Sequence, residues 1–127
     1  MQLCLVSPPC THSNTKLHKN PSTLSVKLIR HTNEVKTPST ATNPIVVIQH
    51  KEHYYVLDGN HRLAYAKECG HAEISAWILA PDDQHLVYDK TTSCIEDWVA
   101  GKKSFEELID SAVTAYDELV KSHSEYA

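Results

Sequence analysis

The chain has 127 residues, enough for one domain that buries about two-thirds of the surface its unfolded form exposes, so no disulfide or metal ion is needed for folding. A hydrophobic fraction of 41% and a charged fraction of 22% are ordinary for soluble globular proteins, so the composition indicates neither global disorder nor a membrane protein. No stretch approaches the roughly 20 apolar residues of a membrane span, and the four cysteines form no CxxC pair, so we expect a cytoplasmic protein with reduced thiols.

The net charge of -4 is unevenly distributed along the chain. Residues 1–44 carry five bases and one acid, whereas residues 45–127 carry seven bases and fifteen acids. Residues 1–22, rich in Ser, Thr, Pro and Asn, are predicted to form a flexible N-terminal arm. A basic arm makes nucleic acid a candidate partner; the alternative is an arm that lies solvated on its own acidic body.

A single domain is predicted over residues 23–127, with its core at 43–79. Residues 23–29 alternate as a half-buried strand does, and the polar stretch 36–44 is predicted to be an internal linker. The β-branched run 45–48 and the run 54–57, separated by five polar residues, predict a hairpin.

A helix follows the hairpin, with Asn60 as its predicted cap, Cys69 near its end and Gly70 as its stop. Residues 74–78 then return as another strand, which completes a small mixed sheet and an α+β fold. A helical C-terminal extension is predicted over 92–123, where Ser104 and Glu107 have the spacing of a capping box. Its apolar stripe is typical of core packing or of a homodimer face.

The turn between strand and helix, Asp58-Gly59-Asn60-His61-Arg62, combines the parts of a phosphate site. Backbone amides at a helix N-terminus lack partners and attract anions. Glycine lets a ligand approach the backbone, while the histidine and the arginine add donors. A cation in the first helical turn opposes the helix dipole unless an anion is bound; the alternative is that Asp58 simply pairs with Arg62.

This turn, within Tyr55-Val56-Leu57-Asp58-Gly59-Asn60-His61-Arg62-Leu63-Ala64, resembles the D-G-x-H-R turn of the ParB/sulfiredoxin superfamily. The upstream Asn43-Pro44-Ile45-Val46-Val47 is similar to the strand that precedes it there, and the likeness extends over residues 43–79. The resemblance implies a nucleotide (ATP, ADP or CTP) with Mg²⁺, held by Gly59, Asn60, His61 and Arg62. Sulfiredoxin has its catalytic cysteine where this chain has Asn60, so sulfinic acid reduction is not expected.

One branch of that superfamily phosphorylates free serine, using an upstream Glu and the turn Asp. By resemblance, Asp58 becomes the candidate catalytic residue and Mg²⁺ ligand, and Glu34, the one acid before the hairpin, becomes its partner. Two functions stay open: a phosphotransferase or nucleotide hydrolase, and a non-catalytic module that binds nucleic acid or protein. His50 and His53 supply only two of the four ligands of a structural zinc site.

Overall fold

The computed structural model describes residues 20–86 and 93–127. Its strands are β1 (Ser22–Ser25), β2 (Ile29–Arg30), β3 (Ile45–His50), β4 (His53–Asp58) and β5 (Glu73–Ile78). Its α-helices are α1 (Asn60–Glu68), α2 (Ser93–Val99) and α3 (Phe105–Ser122), and short 3₁₀ helices cover Val26–Leu28, Pro81–Leu86 and Ser124–Tyr126. The α+β class is confirmed. Most of the predicted arm, residues 1–19, lies outside the described residues.

The five strands form one mixed sheet in the order β1-β5-β3-β4-β2. Strands β3 and β4 form the predicted antiparallel hairpin, with Lys51 in the turn at a positive φ of 58°. Helix α1 connects the hairpin to β5, and β5 pairs parallel with β3. The end of β4 therefore delivers the chain directly into α1, at the turn that the sequence singled out.

The predicted strand 23–29 is wrong as a single element. The 3₁₀ helix Val26–Leu28 divides it, so that β1 pairs antiparallel with β5 at one edge and β2 pairs parallel with β4 at the other. Alternating hydrophobicity reports which side chains face the core, and both halves do contribute buried residues. It carries no information on which neighbour each half joins.

Strand β3 is buried on both faces, as its β-branched run predicted, and divides the core in two. Ile45 and Val47 face one cluster that contains Leu63 and Ala66 of α1. On the opposite face, Val46 and Ile48 belong to a second cluster, with residues of α2 and α3. The sheet is thus covered by α1 on one side and by the C-terminal helices on the other. This packing makes the C-terminal extension part of the core.

Helix α3 begins with the predicted capping box. The Ser104 side chain accepts a hydrogen bond from the Glu107 amide at 3.1 Å, and the Glu107 carboxylate accepts one from the Ser104 amide at 2.8 Å. Within the part of the chain that the structure describes, no helix is long and apolar enough to cross a membrane.

Candidate functional site at the start of helix α1

Gly59 stands between β4 and α1 in a left-handed conformation, with φ at 118°. A Cβ atom at this position would lie 2.7 Å from the Cβ of Ile45 and closer still to its Cγ2. Positive φ and packing against β3 therefore explain the glycine. The expectation that its missing Cβ opens a path for a ligand is corrected, because the Cβ direction points into the core.

The first amides of α1 have no side-chain cap. Gly59, and not Asn60 as predicted, is the N-cap residue, and no side chain provides a cap hydrogen bond to the first amides. The Leu63 amide donates to the Gly59 carbonyl at 2.9 Å, which is the first bond of the helical ladder. The amides of residues 60–62 consequently stand at the open, partly positive end of the helix.

The Asn60 side chain is occupied by the segment that follows β2. Its Oδ1 accepts from the Thr32 amide at 2.9 Å and from His31 Nδ1 at 3.2 Å, and its Nδ2 donates to Thr32 Oγ1 at 3.1 Å. Thr32 Oγ1 in turn donates to the Val56 carbonyl at 2.6 Å. Asn60 therefore fastens the chain after β2 to the start of α1, and its side chain is committed to that segment.

Arg62 is buried, with 8% of its side chain exposed, and acts as a strut inside the protein. Its Nη2 donates to Asp58 Oδ2 at 2.8 Å, and its Nη1 donates to the carbonyls of Asn43 and Pro44, each at 3.0 Å. These internal bonds compete with its predicted role as a phosphate donor, although Arg62 also lines the cleft described below. The guanidinium connects the end of β4 to the residues that lead into β3.

His61 is exposed and holds a second part of the same segment. Its Nδ1 lies 2.9 Å from the Thr37 carbonyl oxygen, and its own carbonyl accepts from the Ser39 amide at 3.0 Å. Residues 37–44, which belong to the predicted linker 36–44, are thus fixed to α1 at both ends, by His61 at one and by Arg62 at the other. We call these residues the strap.

A cleft of about 220 Å³ opens between the strap and the start of α1. It is lined by Ser39, Ala41, Asn43, Asp58, Gly59, His61 and Arg62. A second cavity of about 240 Å³ shares Ala41, Asn43 and Arg62 with the cleft and continues along α1 and β5 to Tyr65, His71 and Glu73. Four of the five turn residues therefore border the cleft, whereas Asn60 lines a separate cavity with Thr32 and Asn33.

Glu34, the predicted partner of Asp58, is not among the residues that line the cleft. Its carboxylate lies 3.5 Å from His123 Nε2, next to the C-terminus of the chain. The structure therefore does not bring the two candidate catalytic acids together. Asp58 supplies the one carboxylate of the cleft lining in the described part of the chain.

Metal ligation has little support elsewhere. Across residues 20–86 and 93–127, no three His, Cys, Asp or Glu side chains are grouped as metal ligands. His53 Nε2 lies 2.9 Å from Arg30 Nη2. A guanidinium can only donate, so His53 Nε2 already accepts a hydrogen bond from Arg30. That nitrogen is therefore not free to bind a metal ion together with His50.

Two ionisable groups near the site have perturbed pKa values. Burial, and then the nearby charge of Lys67, lower the pKa of His31 to about 4, although its hydrogen bond with Asn60 acts in the opposite direction. His31 is therefore neutral at physiological pH. A hydrogen bond with Cys69 raises the pKa of Tyr65, on the wall of the second cavity, above its ordinary value.

The strap residues Thr37, Ser39 and Asn43 were not predicted as part of the site. Their contacts to α1 span about twenty residues of sequence, and polar loop composition was their only signal. Comparison of the chain with protein-family models, curated proteins and solved structures gives no match.

Proposed function

We propose that this protein binds the phosphate group of a nucleotide in the cleft at the start of α1. The observation that carries the proposal is the coincidence of a polar cleft with an uncapped helix N-terminus. Unpartnered amides and the partial positive charge of the helix favour an anion at this position. His61, on the cleft wall, is the side chain that remains to contact a phosphate oxygen.

The second cavity gives the rest of a nucleotide a place. It adjoins the cleft through Ala41 and Asn43, so a phosphate at the amides can carry a substituent along α1. Ligand sites typically occupy about 300–1,000 Å³, which the cleft alone does not reach. A phosphate ester that fills both cavities therefore fits better than inorganic phosphate alone.

Mg²⁺ fits this proposal as a companion of the nucleotide. Arg62 occupies Asp58 Oδ2, and Oδ1 of the same carboxylate is left as a ligand. Mg²⁺ is commonly bound by one or two carboxylates, with phosphate oxygens and water completing its octahedron. Asp58 would hold the ion against the phosphate, where the ion would neutralise phosphate charge.

The likeness of the turn to the ParB/sulfiredoxin superfamily supports the same ligand class, since the resemblance implies ATP, ADP or CTP. Phosphoryl transfer or hydrolysis is the further step that the resemblance suggests. Glu34, the predicted partner of Asp58, lies beside His123 and does not line the cleft. The geometry therefore supports binding more strongly than catalysis. Nucleic acid is the second candidate ligand, because its phosphates could meet the same amides.

The test is a binding panel of ATP, ADP, CTP and GTP, with and without Mg²⁺, on the wild type and two variants. Ala41→Glu places a carboxylate in the cleft from an exposed position, and Ala100→Glu adds the same charge after α2 as the matched control. A nucleotide at about 100 times its dissociation constant should stabilise the wild type and Ala100→Glu by about 2.7 kcal/mol, and Ala41→Glu far less.

Failure of all four nucleotides to raise the melting temperature would contradict the proposal, as would equal stabilisation of Ala41→Glu. A single-stranded oligonucleotide completes the panel. Oligonucleotide binding that weakens steeply with salt, without any nucleotide response, would replace the nucleotide by nucleic acid.

A further inference from the structure

A cavity of about 550 Å³ lies at the end of α1 that is opposite to the cleft. One wall is the junction of β1 with the 3₁₀ helix Val26–Leu28, and the other is the end of α1 with the residues that lead into β5. We call it the lysine cavity, because Lys27 lines the first wall and Lys67 the second. It shares no lining residue with the cleft, and its volume lies within the range of about 300–1,000 Å³ that is typical of ligand sites. A ligand here would therefore be independent of the proposed phosphate site.

Lys67 lies where α1 packs against this 3₁₀ helix. It follows Leu63 by four residues, so the two side chains lie on the same side of α1. Leu63 is fully buried, in the core cluster that also contains Val26 of the opposite wall. Lys67 itself keeps part of its surface exposed. Its side chain is thus partly covered by the protein and partly open to a ligand in the cavity.

The amine of Lys67 lies in positive surroundings. The charge of Arg30 acts on Lys67, and the charge of Lys67 acts on His31, so the amine lies near both of these residues. Among residues 20–86 and 93–127, no carboxylate forms an ion pair with Lys67. The lysine is therefore not held as the cation of a salt bridge within this part of the chain.

These surroundings favour the neutral form of the amine. Burial, and then the charge of Arg30, lower the pKa of Lys67 from its ordinary value. A lysine with the ordinary pKa of about 10.4 is neutral in only about one molecule per thousand at about pH 7.5. The neutral amine is the nucleophile, and desolvation beside another cation is one of the ways in which proteins activate a lysine.

We propose that Lys67 is a nucleophilic lysine that forms an imine with a small aldehyde bound in the lysine cavity. The lone pair of Nζ attacks the carbonyl carbon, and a proton moves from nitrogen to oxygen to give a carbinolamine. The hydroxyl group and the second amine hydrogen then leave as water, and a C=N bond remains. Neither an oxidant nor a reductant is consumed, and addition of water reverses the reaction.

The groups that face Lys67 determine how the reaction depends on pH. Arg30 stays cationic, and His31 stays neutral above about pH 5, because its pKa is lowered to about 4. The other ionisable side chains of the described cavity lining are Lys27, His71 and Glu73. Comparison of Lys67 with other lysines of the same chain removes the general effect of pH on the aldehyde.

Benzaldehyde is the probe, used on the full-length protein together with cyanoborohydride, which reduces an imine to a stable secondary amine. Mass spectrometry of the peptides then gives the labelling rate of each lysine. At about pH 7.5 we expect Lys67 to be labelled about threefold faster, or more, than Lys27 of the same cavity and than Lys121, whose side chain is 72% exposed. The ratio of Lys67 to Lys121 should fall toward about pH 9.5, because a lysine with a lowered pKa reaches its neutral form at lower pH.

Two matched variants change the charge of the surroundings. Ala72→Glu places a carboxylate on the cavity wall from an exposed position, and Ala100→Glu adds the same charge after α2. A nearby carboxylate favours the charged amine, so Ala72→Glu should slow the labelling of Lys67 by about threefold or more, and Ala100→Glu should leave it unchanged. Lys67→Arg keeps the positive charge without the reactive amine and should lose the fast labelling while it binds nucleotides as the wild type does.

Equal labelling of Lys67 and Lys121 in the folded protein at about pH 7.5 would overturn this inference. Equal labelling of Lys67 and Lys27 would also overturn it, because the cavity would then concentrate the aldehyde without activating Lys67. A preference for Lys67 that persisted in concentrated urea would come from the local sequence and would overturn it as well. None of these results affects the proposed function, which is tested by nucleotide binding at the other end of α1.

Discussion

Replacement of Arg62 by methionine should cost about 3–5 kcal/mol of unfolding free energy. Methionine keeps the aliphatic stem but removes donors to Asp58 and to the carbonyls of Asn43 and Pro44. The Asp58 carboxylate, 13% exposed, would then be left charged and unpaired, and the two carbonyls would lose their partner. An ordinary domain is stabilised by only about 5–15 kcal/mol, so a loss of this size is a large part of the total.

A second ion pair of similar spacing gives the matched control. Lys121 and Glu118 of α3 lie 3.4 Å apart, with 72% and 66% of their side chains exposed. Water screens this pair, so Lys121→Met should cost less than about 0.5 kcal/mol. The contrast between the two variants isolates the effect of burial from that of ion pairing as such.

Urea unfolding at neutral pH, followed by tryptophan fluorescence and circular dichroism, measures both losses. Asp58→Asn and the double variant complete a cycle, in which a coupling of about 1–3 kcal/mol is expected for groups in direct contact. If Arg62→Met cost no more than Lys121→Met, or if the coupling were absent, the strut assignment would be wrong. Arg62 would then be available to a ligand after all.

Three further substitutions test other parts of the fold. Gly59→Ala should cost about 3 kcal/mol or more of unfolding free energy, because the new methyl group would overlap Ile45. Gly70 also has a positive φ, but no atom lies within 4 Å of the new methyl group, so Gly70→Ala should cost only about 1–2 kcal/mol, and similar losses for the two variants in urea unfolding would contradict this. The pKa of His31 is lowered from 6.5 to about 4, so between these two pH values the unfolded chain binds a proton more readily than the folded one, and the free energy of unfolding should fall by about 1.4 kcal/mol for each pH unit below 6.5. Between about pH 7 and pH 5, His31→Gln should therefore lose about 2 kcal/mol less of its unfolding free energy than the wild type, and equal losses would refute the assignment. Ser104→Ala removes the capping box and should cost about 1 kcal/mol, read as a lower melting temperature; an unchanged value would show that the cap contributes nothing.

Elements with a local signal were predictable from the sequence. The hairpin, α1, β5 and α3 each carry their own periodicity or stop signal, and the structure confirms all four. The division of residues 23–29 was not predictable, since the choice of sheet edge is made by pairing with β4 and β5, far away in the sequence. Local patterns determine which side chains are buried, and tertiary pairing determines the order of the strands.

The contacts of the site likewise include some that the sequence could predict and some that it could not. The pairing of Asp58 with Arg62 follows from their spacing of four residues, and the sequence raised it as an alternative to phosphate binding. The strap contacts could not be predicted, because they use backbone carbonyls, and every residue has one. The position of Glu34 depends on where the C-terminal residues fold back, which a lone acid in a loop does not indicate.

The pairing of Arg62 changes the argument for an anion. From sequence, a cation in the first turn of α1 suggested a bound phosphate, because the cation otherwise opposes the helix dipole. Asp58, 2.8 Å away, already offsets that charge, so the arginine no longer requires a ligand. Attraction for phosphate must then come mainly from the amides of residues 60–62, with roughly half a positive charge. Arg62 shapes the cleft through the strap, so its loss should weaken binding only together with the fold, whereas Ala41→Glu should weaken binding alone.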